Sequence, residues 1–202
     1  MSNKKSGITL SKWKDIWNRF SGNGIYPHEL AFILDNPLRK FILSPSELVK
    51  NLHLTSVSSV LEIGSGPGYF ITEVSKNIPG GKIVLYDIQI EMLKKSLIKL
   101  KKNNVENAFC IRGDGSKLPF IKESFDVVFM VTVLGEVSDS EGCVKAVNRV
   151  LQSGGILSIT EMKGDPDLLT IDELKEMTTK NNFEFYELIS TKKGFTINFV
   201  KK

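Results

Sequence analysis

Cysteine is nearly absent from this chain. There are two in 202 residues, Cys110 and Cys143, each in an apolar setting. Two isolated cysteines build neither a disulfide framework nor a zinc-ligand pattern, and they fit buried free thiols in a reducing cytosol. Histidine is as scarce, with His28 and His53 alone, so no metal site is expected. Long apolar runs are missing too. Nothing approaches the roughly 20 residues that span a bilayer. The opening MSNKKSGITLSKWK carries no apolar stretch of the signal-peptide kind, and a cytoplasmic location is the expectation. Neither sign of charge dominates: 27 basic against 23 acidic residues leave +4, too little to argue for nucleic acid. No internal repeat, low-complexity segment or G-x-x-x-x-G-K-[ST] phosphate loop is found.

What remains is ordinary globular composition, 41% hydrophobic and 25% charged, sufficient for one domain with a small extension. Residues 1–55 read as a helical extension and 56–202 as the main domain. In SKWKDIWNRF, Trp13, Ile16, Trp17 and Phe20 fall at i, i+3, i+4 and i+7, the pattern of an amphipathic helix with an aromatic face. Core packing is the ordinary use of such a face, and a membrane-surface or partner contact is the alternative. Further helices are expected over 28–35, ending before Pro37, and from Ser46 to about Leu52 after the Ser44-Pro45 start signal.

From residue 58 the pattern changes. Apolar runs at 59–63, 82–87, 108–113, 126–131 and 156–161 alternate with helical stretches at about 69–78, 89–102 and 138–151. Strands apolar almost throughout are expected to be parallel and covered on both faces, which means βαβ units in a doubly wound sheet. The end differs. A helix at 170–180 leads to NFEFYELIST and FTINFVKK around the turn Lys192-Lys193-Gly194, which reads as an antiparallel hairpin.

The chemistry begins at VLEIGSGPGYF (60–70). Gly64 and Gly66 let the backbone turn sharply and approach a ligand, and Gly68 lets the next helix pack closely on the strand. The spacing is G-x-G-x-G rather than the G-x-G-x-x-G of dinucleotide binders, which disfavours a nicotinamide-dependent oxidoreductase. Glu62, two residues before the first glycine, would repel a phosphate. Asp87 ends the second strand, where a carboxylate can take two ribose hydroxyls. Asp114, after the third strand, can accept from an amino group such as adenine N6. A ligand with adenine, a free ribose, no phosphate and a cationic end is indicated, and S-adenosylmethionine meets that description.

The segments VLEIGSGPGYF, VLYDIQIEMLKKS, RGDGSKLPF, FDVVFMVTVLGEV and NRVLQSGGILSITE resemble the ordered motifs of class I S-adenosylmethionine-dependent methyltransferases, in the flavour of the ubiquinone/menaquinone C-methyltransferases. The resemblance covers residues 58–161. It implies a Rossmann-like seven-stranded sheet of order 3-2-1-4-5-7-6 with strand 7 antiparallel, in agreement with the hairpin read from the C-terminal residues. It also implies that Gly64, Ser65, Gly66 and Gly68 line the methionine portion and that Glu62 organises the loop. Asp87 would hold ribose with Ile88 against adenine, Asp114 and Gly115 would meet the adenine edge, and Val131 and Thr132 would flank the methyl group.

The acceptor side is less constrained. Glu136 and Glu161 qualify as catalytic candidates by position near the ends of strands four and five. Tyr26 and His28, in IYPHEL, are candidates for a lid. Many relatives carry a histidine pair after strand four, where this chain has Gly135-Glu136. The Asn/Asp-Pro-Pro motif of N-methylating nucleic-acid enzymes is replaced by Val131-Thr132-Val133-Leu134, and the several cysteines of arsenite methyltransferases are missing. A small-molecule acceptor, apolar or quinone-like, leads. A protein or RNA acceptor, or cofactor binding without catalysis, are the alternatives.

Overall fold

The computed structural model describes residues 14, 16–18, 27 and 43–202. Trp13, Phe20, Tyr26 and His28, and the helix expected over 28–35, lie outside the described residues. Ile16 is buried while Trp17 is 67% exposed, so Trp17 is not a core residue.

The described elements run α1 (Pro45–Asn51), β1 (Ser59–Ile63), α2 (Ile71–Asn77), β2 (Lys82–Asp87), α3 (Ile90–Lys102), β3 (Ala108–Arg112) and β4 (Phe125–Val131). A single 3-10 turn (Leu134–Glu136) follows, then α4 (Ser140–Val150), β5 (Leu151–Met162), α5 (Ile171–Lys180), β6 (Phe183–Thr191) and β7 (Gly194–Lys201). The strands form one sheet of order β3-β2-β1-β4-β5-β7-β6. The pairs β1–β2, β1–β4, β2–β3 and β4–β5 are parallel. β7 lies antiparallel between β5 and β6. This is the order that the family resemblance implies, and β6 and β7 form the antiparallel hairpin read from the C-terminal residues.

Strand alternation explains why the runs are apolar throughout. Successive side chains point to opposite faces, and here both faces are covered. Leu61, Val84, Val128, Leu157 and Ile197 pack on one face with Val144 and Val147 of α4 and Leu174 of α5. Val60, Ile83, Leu85 and Phe129 pack on the other with Leu48 of α1, Val74 of α2 and Leu93 of α3. Truncating a fully buried ring such as Phe129 costs about 3–5 kcal/mol by the usual measure of large-to-small core changes.

Two departures from the sequence reading have clear causes. β3 was expected to be buried on both faces, yet Phe109 is 52% exposed. It is an edge strand, paired on one side only, with β2. β5 starts at Leu151 rather than 156 because Leu151 pairs with Phe125 across a bulge, and the ladder resumes at Val127 and Ile156. The intervening glycines hid that extension.

Local capping sets the helix starts. Ser44 Oγ accepts from Glu47 N at 3.5 Å, with Pro45 in the first turn of α1. Thr170 opens α5 with a full capping box: its hydroxyl accepts from Glu173 N at 3.3 Å, and Glu173 Oε2 accepts from Thr170 N at 2.8 Å. Thr170→Ala is expected to cost about 1 kcal/mol, seen as a fall of roughly 2–4 °C in Tm by calorimetry or circular dichroism.

Candidate active site

The carboxyl ends of β1, β2 and β4 meet where strand order reverses. A cavity of about 340 Å³ opens there, in the position that open α/β sheets use for ligands. The glycine loop forms one wall. Gly64, Gly66 and Gly68 all adopt left-handed backbone, with φ of 68°, 54° and 70°. A Cβ on Gly64 would fall 2.3 Å from Val133 Cγ2, so this position needs glycine on both counts.

The loop is tied to β2. Tyr86 O accepts from Gly64 N at 2.8 Å. Asp87 Oδ2 accepts from Gly66 N at 2.8 Å, and Oδ1 accepts from Gln89 N at 2.8 Å. Asp87 is only 7% exposed. Burial raises its pKa, and the two backbone amides pull against that. Each oxygen keeps a second acceptor position, so the carboxylate can shape the loop and still receive ribose hydroxyls. Ser96 Oγ, on the buried stripe of α3, donates to Gly66 O at 2.9 Å.

The structure gathers most of the expected residues. Glu62, Gly64, Ser65, Gly66, Asp87, Ile88, Asp114, Gly115, Val131, Thr132 and Glu136 all line the cavity. Gly68 lies behind the loop, where its Cα faces Ser96 Oγ. Glu62 and Asp87 share one face of the sheet by strand alternation. Asp114 Oδ1 accepts from Ser116 N and Oγ, each at 2.9 Å. These bonds hold its carboxyl below the usual range and keep it ionised. Thr132 is β-branched yet adopts φ of 53°, a costly conformation held by its N–H donating to Thr160 O at 2.8 Å.

Glu161 sits elsewhere. It does not line this cavity but borders a smaller one of about 50 Å³ between α1 and the ends of β5 and β7. Its pKa is pushed up to about 8, by burial first and then by Asp165, Glu136 and Asp167. Sequence reasoning missed Tyr69, Phe70 and Met92, which line the cavity, and Tyr86, whose Oη donates to Lys117 O at 2.8 Å and fixes the loop after β3. Ser96 was findable as a lone hydroxyl on the apolar stripe Met92, Leu93, Leu100. The others carry no mark beyond being apolar or aromatic.

A family model described as a methyltransferase domain matches residues 54–198. The chain belongs to the methyltransferase-domain family. Among curated proteins it is 28% identical over 149 residues to an arsenite methyltransferase of Halobacterium salinarum, covering 64% of this chain and 38% of that protein. It is 34% identical over 108 residues to the ubiquinone/menaquinone biosynthesis C-methyltransferase UbiE of Pseudomonas paraeruginosa, covering 52% of this chain and 42% of that one. The matches thus span about two fifths of these relatives. A SAM-dependent methyltransferase from Aquifex aeolicus superposes with a TM-score of 0.83 at 21% identity, covering 88% of this chain and 100% of that one, which is likeness of fold.

The family's cofactor is S-adenosylmethionine, and the cavity fits it. Ser65 Oγ is buried and has no hydrogen-bond partner among the described residues. The loop beside it leaves the backbone unshielded by Cβ atoms. Among the described residues no helix is long and apolar enough to cross a membrane.

Two outcomes test this site. Gly64→Ala is expected to lose at least ~2 kcal/mol, from the left-handed backbone and the clash, with Gly64→Ala/Val133→Ala recovering part of it in denaturant titration. For Glu161 the folded pKa of about 8 lies above the ordinary 4.5, so the folded state holds the proton more tightly. Stability from this group is full below pH 4.5 and lost as pH rises through 8. Glu161→Gln is expected to flatten the decline in Tm between pH 5 and 8. An unchanged slope would show that Glu161 titrates normally.

Proposed function

We propose that this protein transfers a methyl group from S-adenosylmethionine to a small-molecule acceptor by in-line displacement. The observation that carries the reading is the Asp87 carboxylate at the strand tip, linked to the Gly66 amide at 2.8 Å beside a cavity with no phosphate-binding loop. When bound, the cofactor supplies an electrophilic methyl group on a sulfonium. The residues of this chain do the rest. Asp87 would accept the ribose hydroxyls, Ile88 would wall the adenine and Asp114 would meet its amino edge. Glu62, Ser65 and the glycine backbone would border the methionine portion. Val131 and Thr132 would bound the methyl end, while Phe70 and Met92, which line the same cavity, would exclude water.

Alignment and exclusion of water supply most of the acceleration in such a displacement. Glu136, a carboxylate of the cavity lining in the turn that follows β4, would orient the acceptor. Tyr26 and His28 stay candidates for a lid. Arsenite is a poor acceptor for this chain. Cys143 is buried with its pKa pushed up to about 12, and burial also raises Cys110 on β3, so neither is a ready thiolate.

Calorimetry with S-adenosylhomocysteine and with NAD(H) tests the reading. S-adenosylhomocysteine is expected to bind and NAD(H) is not. Asp87→Ala should weaken S-adenosylhomocysteine by about 10-fold or more, the worth of hydrogen bonds to a charged group. Binding of NAD(H) alone would reject the assignment.

A further inference from the structure

The net charge of the chain is not spread evenly. In α3, IEMLKKSLIKLKK, five lysines stand against one glutamate, Glu91, and leave +4. That equals the net charge of all 202 residues, so the rest of the chain is balanced and the excess sits on one helix.

The two sides of α3 are used differently. Met92, Leu93, Ser96 and Leu100 are buried, with Leu93 and Leu100 against Ile83 and Leu85 of β2. On the outer side Lys94, Leu97, Ile98 and Lys101 follow at i, i+3, i+4 and i+7, which puts them on one stripe. Lys102 lies beside Ile98 at i+4, and Lys95 at i−3. Lys94, Lys95, Lys101 and Lys102 are all exposed. Ile98 is 68% exposed and Leu97 44%. Glu91 opens the same stripe one turn before Lys94 and Lys95.

A lone exposed aliphatic residue needs no explanation. Here two adjacent ones stand in the middle of a cationic face. The helix dipole favours lysine in the last turn, where Lys99, Lys101 and Lys102 stand, but it does not call for Lys94, nor for Ile98 between the lysines. A partner that matches this face is anionic over a broad area and apolar just beneath. Lysine is a compact charge on a flexible stem, without the fork by which arginine grips a phosphate or a base. The helix carries no arginine, and no aromatic ring on which a base could stack. A bilayer with anionic headgroups suits it better: the acyl boundary accepts Ile98 and Leu97, and the lysine stems lie along it with their charges at the headgroups.

We infer that the outer face of α3 is a docking surface for an anionic lipid bilayer, with Lys94, Lys101 and Lys102 on the headgroups and Leu97 and Ile98 in the acyl boundary. The inference is independent of the methyl-transfer reading. α3 begins at the large cavity, whose wall includes Gln89 and Met92. A docked helix therefore holds that cavity within about 20 Å of the headgroups, one helix length.

The test is co-sedimentation of the full chain with sucrose-loaded vesicles of phosphatidylcholine, alone or with about one third phosphatidylserine. Binding to the anionic vesicles is expected to be at least about 10-fold tighter in about 0.1 M salt, and to fade in about 0.5 M salt as the charges are screened. Lys94→Gln, Lys101→Gln and Lys102→Gln together should weaken it about 100-fold, roughly 5-fold for each lysine. Ile98→Ser should weaken it several-fold and leave the salt dependence in place. These positions are exposed, so an unchanged Tm is expected and shows that each variant folds. Equal binding to the two kinds of vesicle, or no effect of the lysine changes, would overturn the inference. Tighter binding to a duplex DNA than to the anionic vesicles, insensitive to Ile98→Ser, would assign the face to nucleic acid and overturn it as well.

Discussion

The bond between Asp87 and the Gly66 amide joins the two ends of the donor site. It connects the glycine loop after β1 to the tip of β2, across 21 residues of sequence. Without it, the described bonds fixing the loop's path would be those to Tyr86 O, the turn bond from Gly68 N to Ser65 O and the hydroxyl of Ser96. With it, Asp87, the proposed ribose ligand, also fixes the glycine loop proposed to cradle the methionine portion. Both oxygens of a buried carboxylate are oriented by backbone donors, and neither has rotamer freedom left to lose when a ligand arrives.

The rest of the domain supports that junction. Two apolar layers, one on each face of the sheet, hold β1, β2 and β4 in a fixed register. The register places Glu62 opposite Leu85 and Ile63 opposite Tyr86, so the polar residues emerge together at the carboxyl ends. The polar site is thus a by-product of where the apolar alternation stops. β7 and β6 extend the sheet on the far side, and their antiparallel ladder carries the end of β5, and with it Glu161, into a dry environment.

Much of this was legible in the sequence. Runs such as VLEI and KIVLY, with their glycine loop and strand-tip aspartate, encode local geometry, and local geometry survives folding. β3 was misjudged because AFCIR has the composition of a central strand, and only the sheet order tells an edge from a centre. The extension of β5 to Leu151 was hidden because its glycines serve a bulge. Tyr86 and Met92 could not be singled out, since an aromatic or a methionine on an apolar face looks the same whether it meets a ligand or another side chain. Glu161 was picked as a catalytic candidate from its position near the end of the fifth strand, but it borders the smaller cavity beside α1 rather than the large one, a difference that only the packed strands reveal.

Thr132 carries a consequence of its own. A branched side chain in left-handed backbone costs about 1–3 kcal/mol relative to a relaxed residue, and this one follows the fourth strand in the wall of the cavity. Glycine or asparagine would relieve the backbone there. A stiff branched side chain held in strained backbone thus fixes the contour of the cavity wall at the expense of local stability.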